Sequence, residues 1–159
     1  MYYSKISMNL KSMLLTTGFV LSVVIGIAQP FWKSGIVADE FIAAKMPFPE
    51  SHAATIAETP EGLVVAWFGG TKERNPDVEV WMSKLTNNGK WTAPISIANG
   101  IINDSLRYAC WNPVLYQVPK GDLLLFYKVG PNVAEWKGWM KRSKDHGKTW
   151  SSAIALPAD

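Results

Sequence analysis

The chain has 159 residues, of which 48% are hydrophobic, 12% aromatic and 18% charged. This composition excludes a disordered chain, because enough apolar side chains are present to form a packed core. The 16 basic and 13 acidic residues give a net charge of +3, and the single cysteine excludes an intrachain disulfide.

The first 28 residues have the pattern of a secretory signal peptide. Lys5 and Lys11 precede an apolar run over residues 13–27, and Ala28 ends a small-residue cleavage pattern. We therefore expect a secreted or periplasmic protein, with an N-terminal membrane anchor as the alternative. Removing the two lysines leaves 14 basic and 13 acidic residues, a net charge of +1. This charge gives no reason to expect nucleic-acid binding, or a stable membrane contact after signal removal.

Residues 29–48 form a lead-in segment, in which the pattern of residues 36–46 fits either a strand or a short helix. From residue 49 onward, short apolar segments alternate with turn residues, which indicates an all-β chain. The predicted strands are 51–58, 63–68, 77–83, 91–97, 113–118, 123–129, 136–143 and 150–156.

Two halves of this region repeat each other. The segment 63–67 matches 123–127 at an offset of 60 residues, and Trp81 matches Trp139 at an offset of 58. Four strands in a repeat of roughly 40–50 residues are typical of a β-propeller blade. We predict a partial propeller over residues 49–159, in two blades: about 49–98 and about 107–157.

The last turn carries the most specific motif. Ser143, Asp145, Gly147, Thr149 and Trp150 follow the pattern S-x-D-x-G-x-T-W. The glycine suits a backbone with positive φ, and the aspartate can accept hydrogen bonds from amides of its own turn. We expect a structural hairpin turn, without catalytic groups.

A degenerate copy of the motif is predicted at Ser83–Trp91, with Ser83, Gly89 and Trp91 as the matching residues. The octapeptide resembles the Asp-box of sialidases and related β-propellers. Four further segments strengthen the likeness: 49–53, 67–71, 76–78 and 107–114. Together with residues 124–130, they make the chain resemble the sialidase-like BNR repeat family over roughly residues 47–156.

The resemblance implies a sialidase-type β-propeller that belongs to a secreted, exo-acting glycoside hydrolase. Such an enzyme releases terminal acidic sugars from glycans. Two blades do not close a propeller, which has roughly 4–8. We therefore expect the chain to be the N-terminal part of a longer protein, with a small independent β-domain as the alternative.

Two residues are candidates for proton transfer. His52 begins the first strand, and an imidazole side chain can serve as a general base or acid. Asp77 follows the loop after the first buried strand, where the family resemblance implies an acid/base carboxylate. For each residue a structural role is the alternative: a hydrogen-bonded histidine, and a cap on the turn at Asn75-Pro76.

Four residues are candidates for substrate binding. Arg74 and Arg107 offer guanidinium groups, which bind carboxylates through two parallel hydrogen bonds. Arg107 stands beside aromatic residues, at a position we take as equivalent to His52 in the first blade. Asn112 and Lys128 add a polar group and a charge next to apolar strands. Trp136 is a possible sugar platform, with a core role as the alternative.

The sequence departs from common sialidases where Ser51-His52-Ala53 replaces their arginine-containing segment. The tyrosine nucleophile and its glutamate partner belong to later blades, which are absent. The activity is therefore uncertain. Another glycosidase, a lyase acting on uronate-containing glycans, and a non-catalytic propeller stay open as alternatives. No cofactor and no metal site are expected, because His, Cys and acidic residues lack ligand spacing. Cys110 is predicted to be a buried structural thiol.

Overall fold

The computed structural model describes residues 35–36, 38–43 and 45–157. The predicted signal peptide and the first part of the lead-in lie outside these residues. The all-β prediction is confirmed: the described residues form ten strands, with a short 3₁₀ turn at Val133–Glu135 and no α-helix. The described residues contain no helix that is long and apolar enough to cross a membrane. The described residues of 41–49 form no strand.

Two four-stranded antiparallel sheets contain most of these strands. Sheet 1 has the order β1-β2-β3-β4, with strands Glu50–Thr59, Gly62–Gly70, Glu79–Lys84 and Ile95–Ala98. Sheet 2 has the order β7-β8-β9-β10, with strands Cys110–Gln117, Leu123–Val129, Lys137–Ser143 and Ile154–Ala155. Between them, β5 (Ile101–Asn103) and β6 (Leu106–Arg107) form a hairpin that the sequence pattern did not predict.

The internal repeat is confirmed by the strand register. Trp67 lies opposite Trp81 in sheet 1, and Tyr127 lies opposite Trp139 in sheet 2. Both sheets also have a register shift in their first strand, at Ala53 with φ 49° and at Asn112 with φ 41°. A positive φ is unusual for these residues, so the repeat extends to the backbone conformation.

The structure aligns the degenerate motif at Ser83–Trp91 with the Asp-box turn in a register that differs from the predicted one. The Lys84 amide donates to Thr92 Oγ1 (3.0 Å), as the Arg142 amide donates to Ser151 Oγ (3.1 Å). Lys84 and Arg142 therefore occupy equivalent positions in the two sheets. Since Ser143 follows Arg142, its counterpart is Leu85, which follows Lys84. The match of Ser83 to Ser143 was therefore wrong: the Ser83 hydroxyl donates to the Thr92 carbonyl (2.8 Å) and not to the turn.

The two outer strands are shorter than predicted. The ladder covers Ile95–Ala98 and Ile154–Ala155, while the predicted segments began at residues 91 and 150. The Thr92 hydroxyl accepts a hydrogen bond from the Lys84 amide, and the Ser151 hydroxyl accepts one from the Arg142 amide. In a regular ladder a backbone carbonyl would accept each of these bonds. Side chains that bond locally in this way compete with the ladder, so regular pairing starts later.

The core lies between facing surfaces of the two sheets. Residues alternate between the two faces of a strand, so every second side chain enters the core. The largest cluster includes Val64, Ala66, Val80, Met82, Leu115, Leu123, Leu125 and Tyr127. The Leu115 amide also donates to Thr55 Oγ1 across the interface (3.2 Å).

This packing aligns the ends of the sheets. We call the upper edge the side where β1 and β7 begin and β2 and β8 end; the loops 71–78 and 130–136 lie there. At this edge the Cys110 amide donates to the Val78 carbonyl (3.0 Å). The lower edge carries the turn at Thr59–Gly62 and the Asp-box turn. All six predicted site residues lie on elements that reach the upper edge.

Candidate functional site

A row of rings runs across the upper edge from one sheet to the other. His52 stacks on Phe68, with ring centroids 5.4 Å apart. Phe68 lies 5.7 Å from Trp111, which lies 5.1 Å from Trp136. Lys128 Nζ stands 4.6 Å from the centre of the Trp136 ring, within cation–π range. The row thus connects two of the predicted residues, His52 and Lys128, through three aromatic side chains.

A cavity of about 290 Å³ opens beside this row. Its lining consists of Glu73, Arg74, Trp111, Asn112, Asn132, Val133 and Trp136. We call it the upper cavity. Two predicted site residues, Arg74 and Asn112, therefore share one cavity, although they are 38 positions apart in the chain. Both have positive φ, 78° for Arg74 and 41° for Asn112.

Arg74 supplies the positive charge of the upper cavity, whose lining also includes the acidic residue Glu73. Arg74 is exposed on the loop after β2, whose Asn75 amide donates to the Lys72 carbonyl (3.0 Å). Among the described residues no carboxylate lies within ion-pair distance of Arg74. Its guanidinium is therefore available to an anionic group of a ligand.

His52 has an acidic neighbour that sequence reasoning did not single out. Glu50 Oε2 lies 3.8 Å from His52 Nε2 and accepts a hydrogen bond from the Glu73 amide (2.7 Å). The alternation of β1 was an available signal, because residues i and i+2 lie on the same face. Glu50 therefore connects the imidazole to the loop that carries Arg74.

Asp77 holds its own loop in place. Its two carboxylate oxygens accept from the Thr71 amide (2.9 Å) and the Thr71 hydroxyl (3.0 Å). These bonds close the loop between β2 and β3, as expected for a capping aspartate. Asp77 is not among the lining residues of the upper cavity.

Arg107 is paired within the protein. Its Nη2 donates to Glu79 Oε1 (2.5 Å) and to the Asp77 carbonyl (3.4 Å), and it does not line the upper cavity. The assumed equivalence of Arg107 with His52 was wrong. His52 pairs with Phe68 and Trp111 pairs with Lys128, so Trp111 holds the position of His52.

Lys128 and Trp136 form the outer end of the row. Lys128 is exposed, and Trp136 is half-buried beside the upper cavity. The neighbouring Trp111 is fixed by a hydrogen bond from its indole nitrogen to the Gly130 carbonyl (2.8 Å). Trp111 and Trp136 both line the upper cavity, and this bond fixes the Trp111 indole.

Cys110 is confirmed as a buried thiol. Burial raises its pKa to about 12, so the reactive thiolate is scarce at neutral pH. In the part of the chain that the structure describes, no three His, Cys, Asp or Glu residues are grouped as metal ligands would be.

The described residues define an all-β fold with two copies of a four-stranded repeat. Residues 61–159 match the model of the BNR repeat-like domain, and this match covers more than half of the chain. The chain belongs to this family, which confirms the resemblance to sialidase-like BNR repeat proteins. Comparison with curated protein sequences finds no match.

Proposed function

We propose that the chain is the N-terminal portion of a secreted, sialidase-like exo-acting glycoside hydrolase, and that its upper cavity binds a terminal acidic sugar. The observation that carries this proposal is the exposed guanidinium of Arg74 beside the indoles of Trp111 and Trp136 in one cavity. A sugar acid offers one carboxylate and an apolar ring face. These match a guanidinium and an aromatic wall respectively.

A propeller is the architecture that these sheets support best. Val64 and Ala66 of sheet 1 are fully buried under sheet 2. On the face of sheet 2 that corresponds to theirs, Val114 and Tyr116 are 52% and 53% exposed. A further four-stranded sheet of the same kind would cover this face, as sheet 2 covers sheet 1.

Orientation of the sugar would come from three groups. The Arg74 guanidinium takes the carboxylate, the Trp136 ring packs against the sugar ring, and the Asn112 amide bonds a hydroxyl. Lys128, above Trp136, adds positive charge that favours an anionic substrate. Arg107 holds the loop at Asp77 to β3 through its contacts with the Asp77 carbonyl and Glu79.

Proton transfer is assigned to His52, with Glu50 as its partner. An imidazole can act as a general acid toward the leaving-group oxygen of a glycosidic bond, and Glu50 Oε2 lies 3.8 Å from His52 Nε2. Asp77 is the second candidate. It would first have to release its bonds to Thr71.

Sugar binding to the chain tests the proposal. Glucuronic acid, N-acetylneuraminic acid and glucose are titrated while the indole N–H signals are followed by NMR. We expect saturable shifts of the Trp111 and Trp136 signals with an acidic sugar and none with glucose. Arg74→Ala should weaken binding about tenfold or more, the value of a charged hydrogen-bonded contact.

Arg142→Ala is the matched control, since Arg142 is exposed on β9 and, among the described residues, only its backbone is hydrogen-bonded. It should bind like the wild type. Equal affinity for glucose and the sugar acids, or unchanged affinity in Arg74→Ala, would refute the assignment of the upper cavity.

A lyase acting on uronate-containing glycans is the second candidate function. It is favoured by the histidine at the start of β1, because a lyase needs a base to remove the proton next to the uronate carboxylate. The two functions differ in product, since only a lyase forms an unsaturated uronate that absorbs ultraviolet light. In a protein that carries the complete ring of sheets, His52→Ala should abolish this absorbance or the release of acidic sugar. Binding without either product would indicate a non-catalytic propeller.

A further inference from the structure

A second cavity, of about 320 Å³, lies between the sheets and shares no lining residue with the upper cavity. Its walls include Ile97 of β4, Tyr127 and Val129 of β8, and Trp139 and Lys141 of β9. We call it the inter-sheet cleft. Nothing in the proposed glycan chemistry uses these groups.

Three of the lining side chains are hydrogen-bond donors that stand next to one another. Tyr127 lies directly opposite Trp139 in the β8–β9 ladder, and Lys141 follows Trp139 by two residues. Opposite residues have Cβ atoms roughly 5 Å apart, and residues i and i+2 share a face. The phenol, the indole and the ammonium therefore form one continuous patch.

The donors of this patch exceed its acceptors. Lys141 Nζ gives one of its three hydrogens to the Ile97 carbonyl (2.6 Å). Within the described part of the chain, no carboxylate lies within ion-pair distance of it. The Trp139 indole nitrogen is buried without an acceptor there, and no described residue bonds the Tyr127 hydroxyl.

Burial favours the neutral form of both Lys141 and Tyr127. It lowers the pKa of the Lys141 ammonium and raises the pKa of the Tyr127 hydroxyl, because it penalises each charged form. A half-buried cation without a counter-ion is costly, and a bound anion removes that cost.

We propose that the inter-sheet cleft binds a small organic monocarboxylate, with the Lys141 ammonium as its counter-ion and the Tyr127 hydroxyl as a second donor. A single cation balances a single negative charge, whereas sulfate or hydrogen phosphate would leave charge uncompensated. The apolar walls at Ile97 and Val129 suit the carbon part of such a molecule.

The test follows the indole N–H signal of Trp139 by NMR, assigned through Trp139→Phe. The full chain is titrated with sodium acetate and sodium glucuronate at constant ionic strength, and with sodium sulfate for comparison. We expect a saturable shift with both carboxylates. Lys141→Met should weaken it by about tenfold or more, and Tyr127→Phe by about threefold to tenfold.

Lys90→Met is the matched control, because Lys90 is an exposed lysine in the turn between β3 and β4. It should leave the Trp139 shift unchanged. Arg74→Ala should also leave it unchanged, which separates the cleft from the upper cavity when glucuronate is the probe. A negative binding result at one of the two cavities therefore does not refute the proposal for the other.

Absence of a saturable shift with both carboxylates would overturn the proposal, as would undiminished binding in Lys141→Met. Sulfate binding as tight as that of acetate would overturn the assignment to a monoanion. If Lys141→Met does not fold, the Tyr127→Phe variant tests the proposal instead, because it removes one hydroxyl and keeps the ring. Unchanged affinity in that folded variant would contradict the assigned donor.

Discussion

Glu61 and Lys148 are 87 positions apart in the chain, yet Glu61 Oε1 lies 2.6 Å from Lys148 Nζ. Lys84 Nζ approaches the other carboxylate oxygen, at 3.3 Å. Glu61 belongs to the β1–β2 turn of sheet 1, and Lys148 belongs to the Asp-box turn of sheet 2. The pair thus joins the two sheets at the lower edge, opposite the upper cavity.

The first prediction concerns this ion pair. Glu61→Gln should lower the thermal unfolding midpoint slightly at low salt, and the difference should shrink at high salt because the groups are exposed. The hydrogen bond from Lys148 lowers the pKa of Glu61 below 4.5. The stabilisation is therefore present above pH 4.5 and is lost as the pH falls through the lower, folded-state pKa. Glu58→Gln, an exposed acid on β1, should show neither effect.

The second prediction concerns the Asp-box carboxylate. Asp145 accepts from the Thr149 hydroxyl and the Thr149 amide, and from the Ser143 hydroxyl (2.7 Å). These bonds, first those of Thr149, hold the pKa of Asp145 well below its usual value of 3.8. Asp145→Ala should destabilise the fold in urea titrations above pH 3.8.

This difference between wild type and Asp145→Ala should diminish as the pH falls below 3.8, because a protonated carboxyl makes weaker bonds in the turn. Asp104→Ala, an exposed acid at the tip of the β5–β6 hairpin, is the control and should change little. A constant difference across the acid range would contradict the role of the charged form.

The third prediction separates backbone strain from crowding. Gly147 has φ +90° and Gly89 has φ +75°, and any side chain is disfavoured at both. A Cβ at Gly147 would lie 3.3 Å from Met82 Sδ, whereas Gly89 has open space. Gly89→Ala should cost about 1–2 kcal/mol in urea unfolding, and Gly147→Ala should cost more. Equal losses would mean that Met82 yields without cost.

The fourth prediction concerns Cys110. Its thiol is buried and its pKa is raised to about 12, so a coloured aromatic disulfide reagent should not react with the native chain at neutral pH. In urea the same reagent should detect one thiol per chain. Fast reaction of the native chain would show that the core around Cys110 opens readily.

The fifth prediction decides between two roles for Arg107. If the role of Arg107 is to pair with Glu79, Arg107→Ala should lower the free energy of unfolding by about 1–2 kcal/mol, because Glu79 loses a charged hydrogen bond. Affinity for glucuronic acid then stays within about twofold of the wild type. Glu79→Gln should reproduce the loss of stability. A large loss of affinity with unchanged stability would instead support direct contact of Arg107 with the substrate.

Part of the candidate site was predictable from the chain alone. Arg74, Asn112 and Lys128 stand beside apolar segments, and the ends of neighbouring strands meet at one edge. The alignment of Leu63–Trp67 with Leu123–Tyr127 likewise predicted that Trp67 and Tyr127 occupy equivalent places. Glu50 and the aromatic row were missed, since both depend on contacts across strands and between sheets.

The all-β class, the repeat and the Asp-box turn follow from the sequence by itself, because alternation, glycine positions and a local aspartate are short-range properties. Tertiary structure alone decided which charges are free. Arg74 and Arg107 are both arginines near apolar strands, yet Arg107 of the β5–β6 hairpin pairs with Glu79 of sheet 1, and Arg74 pairs with no described carboxylate. Pairing of side chains that are distant in the chain depends on how the sheets pack. The local sequence therefore does not predict which charged groups come within ion-pair distance.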